Sequence, residues 1–249
     1  MAASPDTNIE RLNGNWILVI DNAFYYELDA IGEIYSDCVE IQNKELSSNS
    51  FDAALKLQKI SWLLRKALSF ATIYLQVLQY PIKDGQSSEP SIKIDFIQTA
   101  TGGLSGTKEE RLLDWKEYDH TDYFFGAVRA SSQFVSGAPV KDGSIRPEFD
   151  LKTNTTSAEI KQFLTGEINE DWTKSAGFLV ESKDDEAGDK ILGYWVHTFE
   201  RSEKLDWTAE QIWGFEMIGE LRYFTRRVVI MTSKGQHICQ KLVYDFAGY

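Results

Sequence analysis

The three histidines, His120, His197 and His237, lie far apart in the sequence. None shows His-x-Glu-x-x-His spacing, so zinc ligation finds no support there. The chain also lacks a Gly-x-Ser-x-Gly elbow, a Walker loop and a dinucleotide fingerprint. The expectation is chemistry with no metal and no cofactor. Thr101-Gly-Gly-Leu-Ser-Gly is rich in glycine, but a strand-like stretch follows it. A phosphate cradle needs a helix N-terminus there, so the run reads as a turn or bulge. Glu200 and Glu216 fall on neighbouring strand-like stretches, where paired carboxylates can transfer protons or simply face water. The fuller cluster is aromatic with a few hydrogen-bond donors. Trp195 and His197 share one strand face, with Phe199 further along that strand; Trp213 and Phe215 share a face of the next. Tyr223 and Arg227 lie on one side of the following strand, Phe224 and Arg226 on the other. Such a lining describes a pocket for a small apolar molecule. Packing of these residues in a core, or exposure to solvent, stays open as the alternative.

Four consecutive strands must carry these side chains. They run from Tyr194, Thr208, Glu220 and Gln236, and the last three are joined by turns holding Gly219 and Gly235. Both faces of the third mix apolar and polar residues, as in a curved sheet with a core on one side and a cover on the other. Earlier strands are expected at Gly14–Ile20, Ala71–Tyr80, Ser91–Ala100, Glu109–Trp115 and Tyr123–Val135. Gly126 permits a sharp bend in the last of these. A single amphipathic helix is expected from Ser50 to Leu68, with Leu57, Ile60, Leu64 and Leu68 as its apolar stripe. It suits the closing of one mouth of a barrel. The fold class is mainly β: an antiparallel barrel of eight to ten strands with one or two covering helices near the N-terminus.

Domain organisation follows. Residues 1–10 read as a disordered arm and 11–249 as a single barrel domain. Residues 136–158, rich in Gly, Ser, Thr and Pro, read as the longest loop, either mobile or a lid. With 43% apolar and 13% aromatic residues, a sizeable core is assured. The formal net charge of −12 shows no basic run, which argues against a nucleic-acid or anionic-membrane partner. Cys38 and Cys239 give no disulfide framework. There is no signal peptide and no apolar run long enough to span a membrane, so a soluble cytoplasmic protein is expected. Oligomeric state is not encoded in any pattern here.

Several short motifs, in order along most of the chain, resemble a fungal lipocalin-like (calycin) family. They are Asn13-Gly-Asn-Trp, Leu57-Gln-Lys-Ile-Ser-Trp-Leu-Leu-Arg-Lys-Ala, Gln98-Thr-Ala-Thr-Gly-Gly-Leu, Leu113-Asp-Trp, Trp207-Thr-Ala-Glu-Gln-Ile-Trp-Gly-Phe-Glu, Arg226-Arg-Val-Val and Leu242-Val-Tyr-Asp-Phe. The resemblance implies a calycin barrel whose first-strand Trp plugs the floor. Some members are similar to hetero-Diels–Alderases of tropolone-sesquiterpenoid pathways, which join a tropolone-derived o-quinone methide to a humulene-type olefin. Others look like plain barrel proteins. Val19 to Gln42 departs from the family pattern, as an inserted helix or as a translated intron. On this resemblance, the candidate hydrogen-bond donors to a quinone-methide carbonyl are His197, Tyr223, Arg226 and Trp213. Trp195, Phe215, Phe199 and Phe224 are the candidate substrate-binding walls. The partners are hydrophobic small molecules. A non-catalytic carrier of such molecules would need the same cavity, and a structural protein would fill it.

Overall fold

The computed structural model describes Ala3 and residues 6–19, 51–83, 91–102, 106–184 and 190–249. Most of them lie in strands. In chain order these are β1 (Gly14–Val19), β2 (Ile73–Ile82), β3 (Ser91–Ala100), β4 (Thr107–Leu112), β5 (Tyr118–Asp122), β6 (Gly126–Pro139), β7 (Ile145–Pro147), β8 (Ser182–Asp184), β9 (Lys190–Leu192), β10 (Tyr194–Ser202), β11 (Trp207–Ile218), β12 (Leu221–Thr232) and β13 (His237–Gly248). Three short helices join them: α1 (Phe51–Leu57), α2 (Trp62–Ser69) and α3 (Ala158–Leu164). The fold is mostly β, as the alternation of the closing strands requires.

One antiparallel sheet runs in the order β4-β3-β2-β1-β13-β12-β11-β10-β6-β5, with β7 beside β6; β8 and β9 form a separate pair. The sheet curls on itself. Phe96 of β3 meets Trp213 of β11 edge to face at 4.9 Å, although four strands separate the two in sheet order. Arg111 of β4 reaches Glu200 of β10. Beyond β4, Trp115 donates its backbone N–H to Ser132 of β6 at 2.8 Å.

Both ends of the concave interior are stoppered. At the floor, Trp16 is fully buried against Phe246, Phe224 and Phe215, at 4.9, 5.4 and 6.3 Å between ring centroids. Its indole N–H donates to the carbonyl of Leu12 at 3.1 Å. At the opposite mouth, α1 sets Ala54 against Trp207, Val128, Val228 and Ile230.

Several expectations need correction. The stretch expected as one helix from Ser50 to Leu68 is two. Lys59 adopts a positive φ of 68°, and the Ile60 N–H reaches back to the Leu55 carbonyl at 2.9 Å, which terminates α1. Ser61 then caps α2, accepting from the Leu64 N–H. Residues 6–10 are not a loose arm: Thr7 and Ile9 are buried, and Ile9 donates its N–H to Glu181. Residues 136–158 are not one long loop. Ser136–Pro139 complete β6, β7 pairs with them, and Phe149 and Thr153 are buried. The inserted helix or translated intron expected from Val19 to Gln42 lies, beyond Val19, outside the described residues. Among the described residues no helix is long and apolar enough to cross a membrane.

A Trp16→Ala substitution is expected to cost about 3–5 kcal/mol, because the floor cannot collapse around the missing indole. Urea unfolding of the variant measures this. A cost under about 1 kcal/mol would mean that the floor is not a packed plug.

Candidate functional site

Strand alternation sends each side chain to one of two surfaces. The registers β10–β11, β11–β12 and β12–β13 put Val196, Trp213, Arg226 and Leu242 in one row on the concave face, and Phe215, Phe224 and Tyr244 in the next. The same registers put Trp195, His197, Phe199, Glu216, Tyr223 and Arg227 on the opposite face. The eight sequence-derived candidates are therefore divided. Trp213, Arg226, Phe215 and Phe224 come together in the interior. Trp195, His197, Phe199 and Tyr223 do not join them, because they occupy the other frame of their strands. Glu200 and Glu216 also lie on opposite faces, so they are not a pair.

The outer face of β10 to β13 is covered by a second layer. Phe149, Ile160, Phe163, Leu164 and Phe178 pack there against Val135, Trp195, Ile212, Val229 and Met231. Under this cover the charged groups are closed systems. Arg227 grips Glu216 with two parallel bonds, Nε to Oε1 at 2.8 Å and Nη2 to Oε2 at 2.9 Å. Its Nη1 donates to the carbonyls of Phe163 and Ile168, and Nη2 also donates to Ser175. Thr225 and Lys241 complete the shell of Glu216. Burial pushes the Glu216 carboxyl up, but Arg227 and Lys241 outweigh it and hold the group at about 2.

His197 sits in the same layer, fully buried between the rings of Trp115 (4.7 Å) and Phe149 (4.6 Å). With its proton on Nε2, it donates to Glu210 at 2.9 Å. Glu210 also accepts the backbone N–H groups of Lys152 and Thr153. The pair thus pins residues 152–153 to the sheet. Tyr223 is buried opposite Glu216, and burial followed by the charge of Asp245 raises its phenol above the usual range. Two polar clefts open on this outer side. One of about 460 Å³ includes Glu170, Asp171, Glu216 and Lys241; the other, of about 540 Å³, includes Gln133, Glu148, Phe149 and Lys161.

The interior is built differently. Above the aromatic floor, the Arg226 guanidinium lies over the rings of Phe96 and Trp213, at 4.3 Å from each centroid, with Tyr244 at 5.3 Å. Cation–π contacts of this kind, removed from water, contribute about 2 kcal/mol or more. Arg226 is only 5% exposed, yet its Nε and Nη2 have no hydrogen-bond partner among the described residues. Buried donors normally find one.

A polar band follows above it. The Trp213 indole N–H donates to Gln211 Oε1 at 3.1 Å, and Gln211 Nε2 donates to Glu200 Oε1 at 3.2 Å. Arg111 Nη2 bridges Glu200 and Glu109. Burial opposes the charge of Glu109, but Arg111 and Arg226 hold its carboxyl below the usual range. Burial raises the Glu200 carboxyl; Arg111 opposes that rise and the charge of Glu109 adds to it. Glu109, Arg111 and Gln211 escaped sequence reasoning. The β4 strand carries charge on both faces, and only its register with β3, Phe96 opposite Glu109, turns Glu109 and Arg111 inward. Among the described residues no group of three or more His, Cys, Asp or Glu side chains converges to hold a metal ion.

No family model matches the chain. Over 194 residues it is 26% identical to the probable pericyclase scpY of Mollisia scopiformis, covering 78% of this chain and 80% of that protein. The chain is similar to a protein named as a pericyclase. It is also similar to a solved structure of a mutant REP1-NXSQ fatty acid transporter, at 12% identity and a TM-score of 0.35, covering 95% of this chain and 98% of that one.

The outer network sets a pH dependence. The Glu216 carboxyl sits at about 2 when folded, against about 4.3 for an unfolded chain. A depressed folded value contributes stability that is present above the unfolded value and is lost as pH falls through the folded one. Stability is therefore expected to fall between about pH 5 and about pH 2. Glu216→Gln is expected to lose about 3–5 kcal/mol at neutral pH and to flatten that decline. Urea midpoints across the range test this; an unchanged slope in the variant would assign the decline to other carboxylates.

Proposed function

We propose that the chain is a pericyclase working without a cofactor, and that the reaction takes place in the concave interior of the curled sheet. The reaction is a hetero-Diels–Alder cycloaddition between a tropolone-type o-quinone methide and a humulene-type olefin. The observation that carries this reading is Arg226: a buried cation over the rings of Phe96 and Trp213, with N–H donors that have no partner among the described residues. The similarity to a probable pericyclase supports it.

Such a reaction asks little of the protein besides position and polarisation. The diene is the C=C–C=O unit of the quinone methide. Its oxygen and its methylene carbon each bond to one carbon of the olefin, so one C–O and one C–C bond form. No atom leaves and no proton moves. Holding the two partners in a near-attack pose removes several kcal/mol of barrier. A donor at the carbonyl oxygen stabilises the charge that gathers there, worth about 10²–10³ in rate for a preorganised site. Arg226 Nε and Nη2 supply that donor. Trp213 does not: its N–H is committed to Gln211, and its ring serves as a wall with Phe215 and Phe224. His197 and Tyr223 act from the outer face as structural groups.

The test is a product assay. A tropolone quinone-methide precursor and humulene are incubated with purified protein, and adduct formation is compared with the protein-free background. Faster formation of one stereoisomer is expected. Arg226→Met should lower that excess rate by about 10²-fold, while Tyr223→Phe leaves the adduct ratio unchanged. An adduct profile equal to background, with saturable ligand binding, would make the chain a carrier instead.

A further inference from the structure

The mouth of the sheet carries a surface that the interior site does not explain. α2 packs Leu64 and Leu68 into the core and leaves its other side to solvent. On that side Trp62 is 64% exposed and Leu63 73%, and Phe70, just after the helix, is 87% exposed. Trp62, Lys66 and Phe70 recur at four-residue spacing, so they form one outward row with Leu63 beside it. A single apolar side chain on a surface is ordinary, but three large ones along one eight-residue helix mark a contact site. Across the same mouth, Tyr123 of the β5–β6 turn is exposed. Phe125 of that turn packs on Trp207 at 5.6 Å, and Trp207 shares a cluster with Ala54 of α1, which places turn and helices at one end of the sheet.

The charge at this end is basic, in a chain of net charge −12. Lys56, Lys59 and Lys66 of the helical pair, Lys204 of the β10–β11 turn and Lys234 of the β12–β13 turn are exposed and make no ion pair among the described residues. The exposed carboxylates of the same segments are engaged: Asp52 by Arg65, Asp206 by the Ser233 hydroxyl, and Glu203 beside Arg129 and Arg201.

We infer that this end of the molecule docks on the surface of an anionic lipid bilayer, with Trp62, Leu63 and Phe70 entering the headgroup boundary and the lysines facing the lipid charge. The occupant follows from the combination of features. An indole ring suits a boundary that is apolar on one side and wet on the other. Lysine stems lie along apolar surface while their ammonium groups reach anionic headgroups. A nucleic acid would match the lysines and leave the apolar row in water. An apolar protein face would match the row and strip water from unpaired cations. The sequence shows no basic run because the fold gathers these cations from separate segments. The docking does not depend on the proposed reaction; joined to it, the docking sets the mouth against the phase in which an apolar olefin dissolves.

The test sediments the full chain with phosphatidylcholine vesicles containing about 30% phosphatidylserine, and with phosphatidylcholine vesicles alone. In about 0.1 M salt, partitioning is expected to be at least about tenfold stronger on the anionic vesicles, and to fall at least about fivefold in about 0.5 M salt. Trp62→Ser/Leu63→Ser should bind at least about tenfold more weakly. Lys56→Gln/Lys59→Asn/Lys66→Gln should lose the preference for phosphatidylserine. Trp172→Asn removes an exposed indole near the β11–β12 turn, at the other end of the sheet, from a backbone conformation that Asn adopts, and should bind as the wild type does. Thermal unfolding checks that each variant is folded. A wild type that ignores both kinds of vesicle overturns the docking. So does binding that Trp62→Ser/Leu63→Ser leaves intact, or that Trp172→Asn weakens as much. Sedimentation velocity without lipid tests the other occupant: self-association that Trp62→Ser/Leu63→Ser abolishes, with no vesicle binding, would give the patch to a second copy of the chain and overturn the lipid assignment.

Discussion

A strand buried on both faces must find partners for its polar side chains twice over, once on each side. β11 and β12 are under that constraint for most of their length. On their outer side the charged groups of these two strands meet it. Glu210 and His197 satisfy one another and two backbone amides; Glu216 and Arg227 form a closed network with Thr225, Lys241 and Ser175. The inner layer meets it only in part. Gln211, Glu200 and Arg111 are linked, but Arg226 keeps donors without acceptors. Closed polar networks hold structure together. The open one, in an aromatic enclosure, is the part that the proposed function assigns to a ligand.

The enclosure depends on its stoppers as much as on its walls. Trp16 and the segment from Thr7 to Leu12 seal the floor, tied down by Gln79 and Glu181. α1 seals the mouth through Ala54. Excluding water at both ends strengthens every interaction with Arg226 and Glu200, because charge is screened far less away from bulk solvent.

Much of this architecture is legible in the sequence, and the limits of legibility have a physical cause. The four closing strands follow from alternation and from the turns at Gly219 and Gly235. The floor Trp is what the family resemblance, carried in part by Asn13-Gly-Asn-Trp, implies. What alternation cannot say is which frame points inward when both frames are apolar. Trp195 and Trp213 look alike as aromatic strand residues; one meets Phe178 in the outer layer, the other Phe96 inside. The second layer that makes the outer frame apolar comes from residues 145–180, where irregular segments and the short helix α3 hide buried Phe149, Phe163 and Phe178. Glu109 and Arg111 were invisible for a related reason: a register, not a residue type, turns them inward.

The seam between β1 and β13 carries a consequence of a different kind. Asn15 lies opposite Gly248, and Val19 opposite Val243, so the sheet is joined by residues almost a full chain length apart. Closing so long a loop is entropically costly and comes late in folding. During synthesis the first strand can pair with β2, but its other edge must wait until the last strand has been made. The enclosure exists only once the whole chain does, and any half-made sheet exposes aromatic surface that chaperones would recognise.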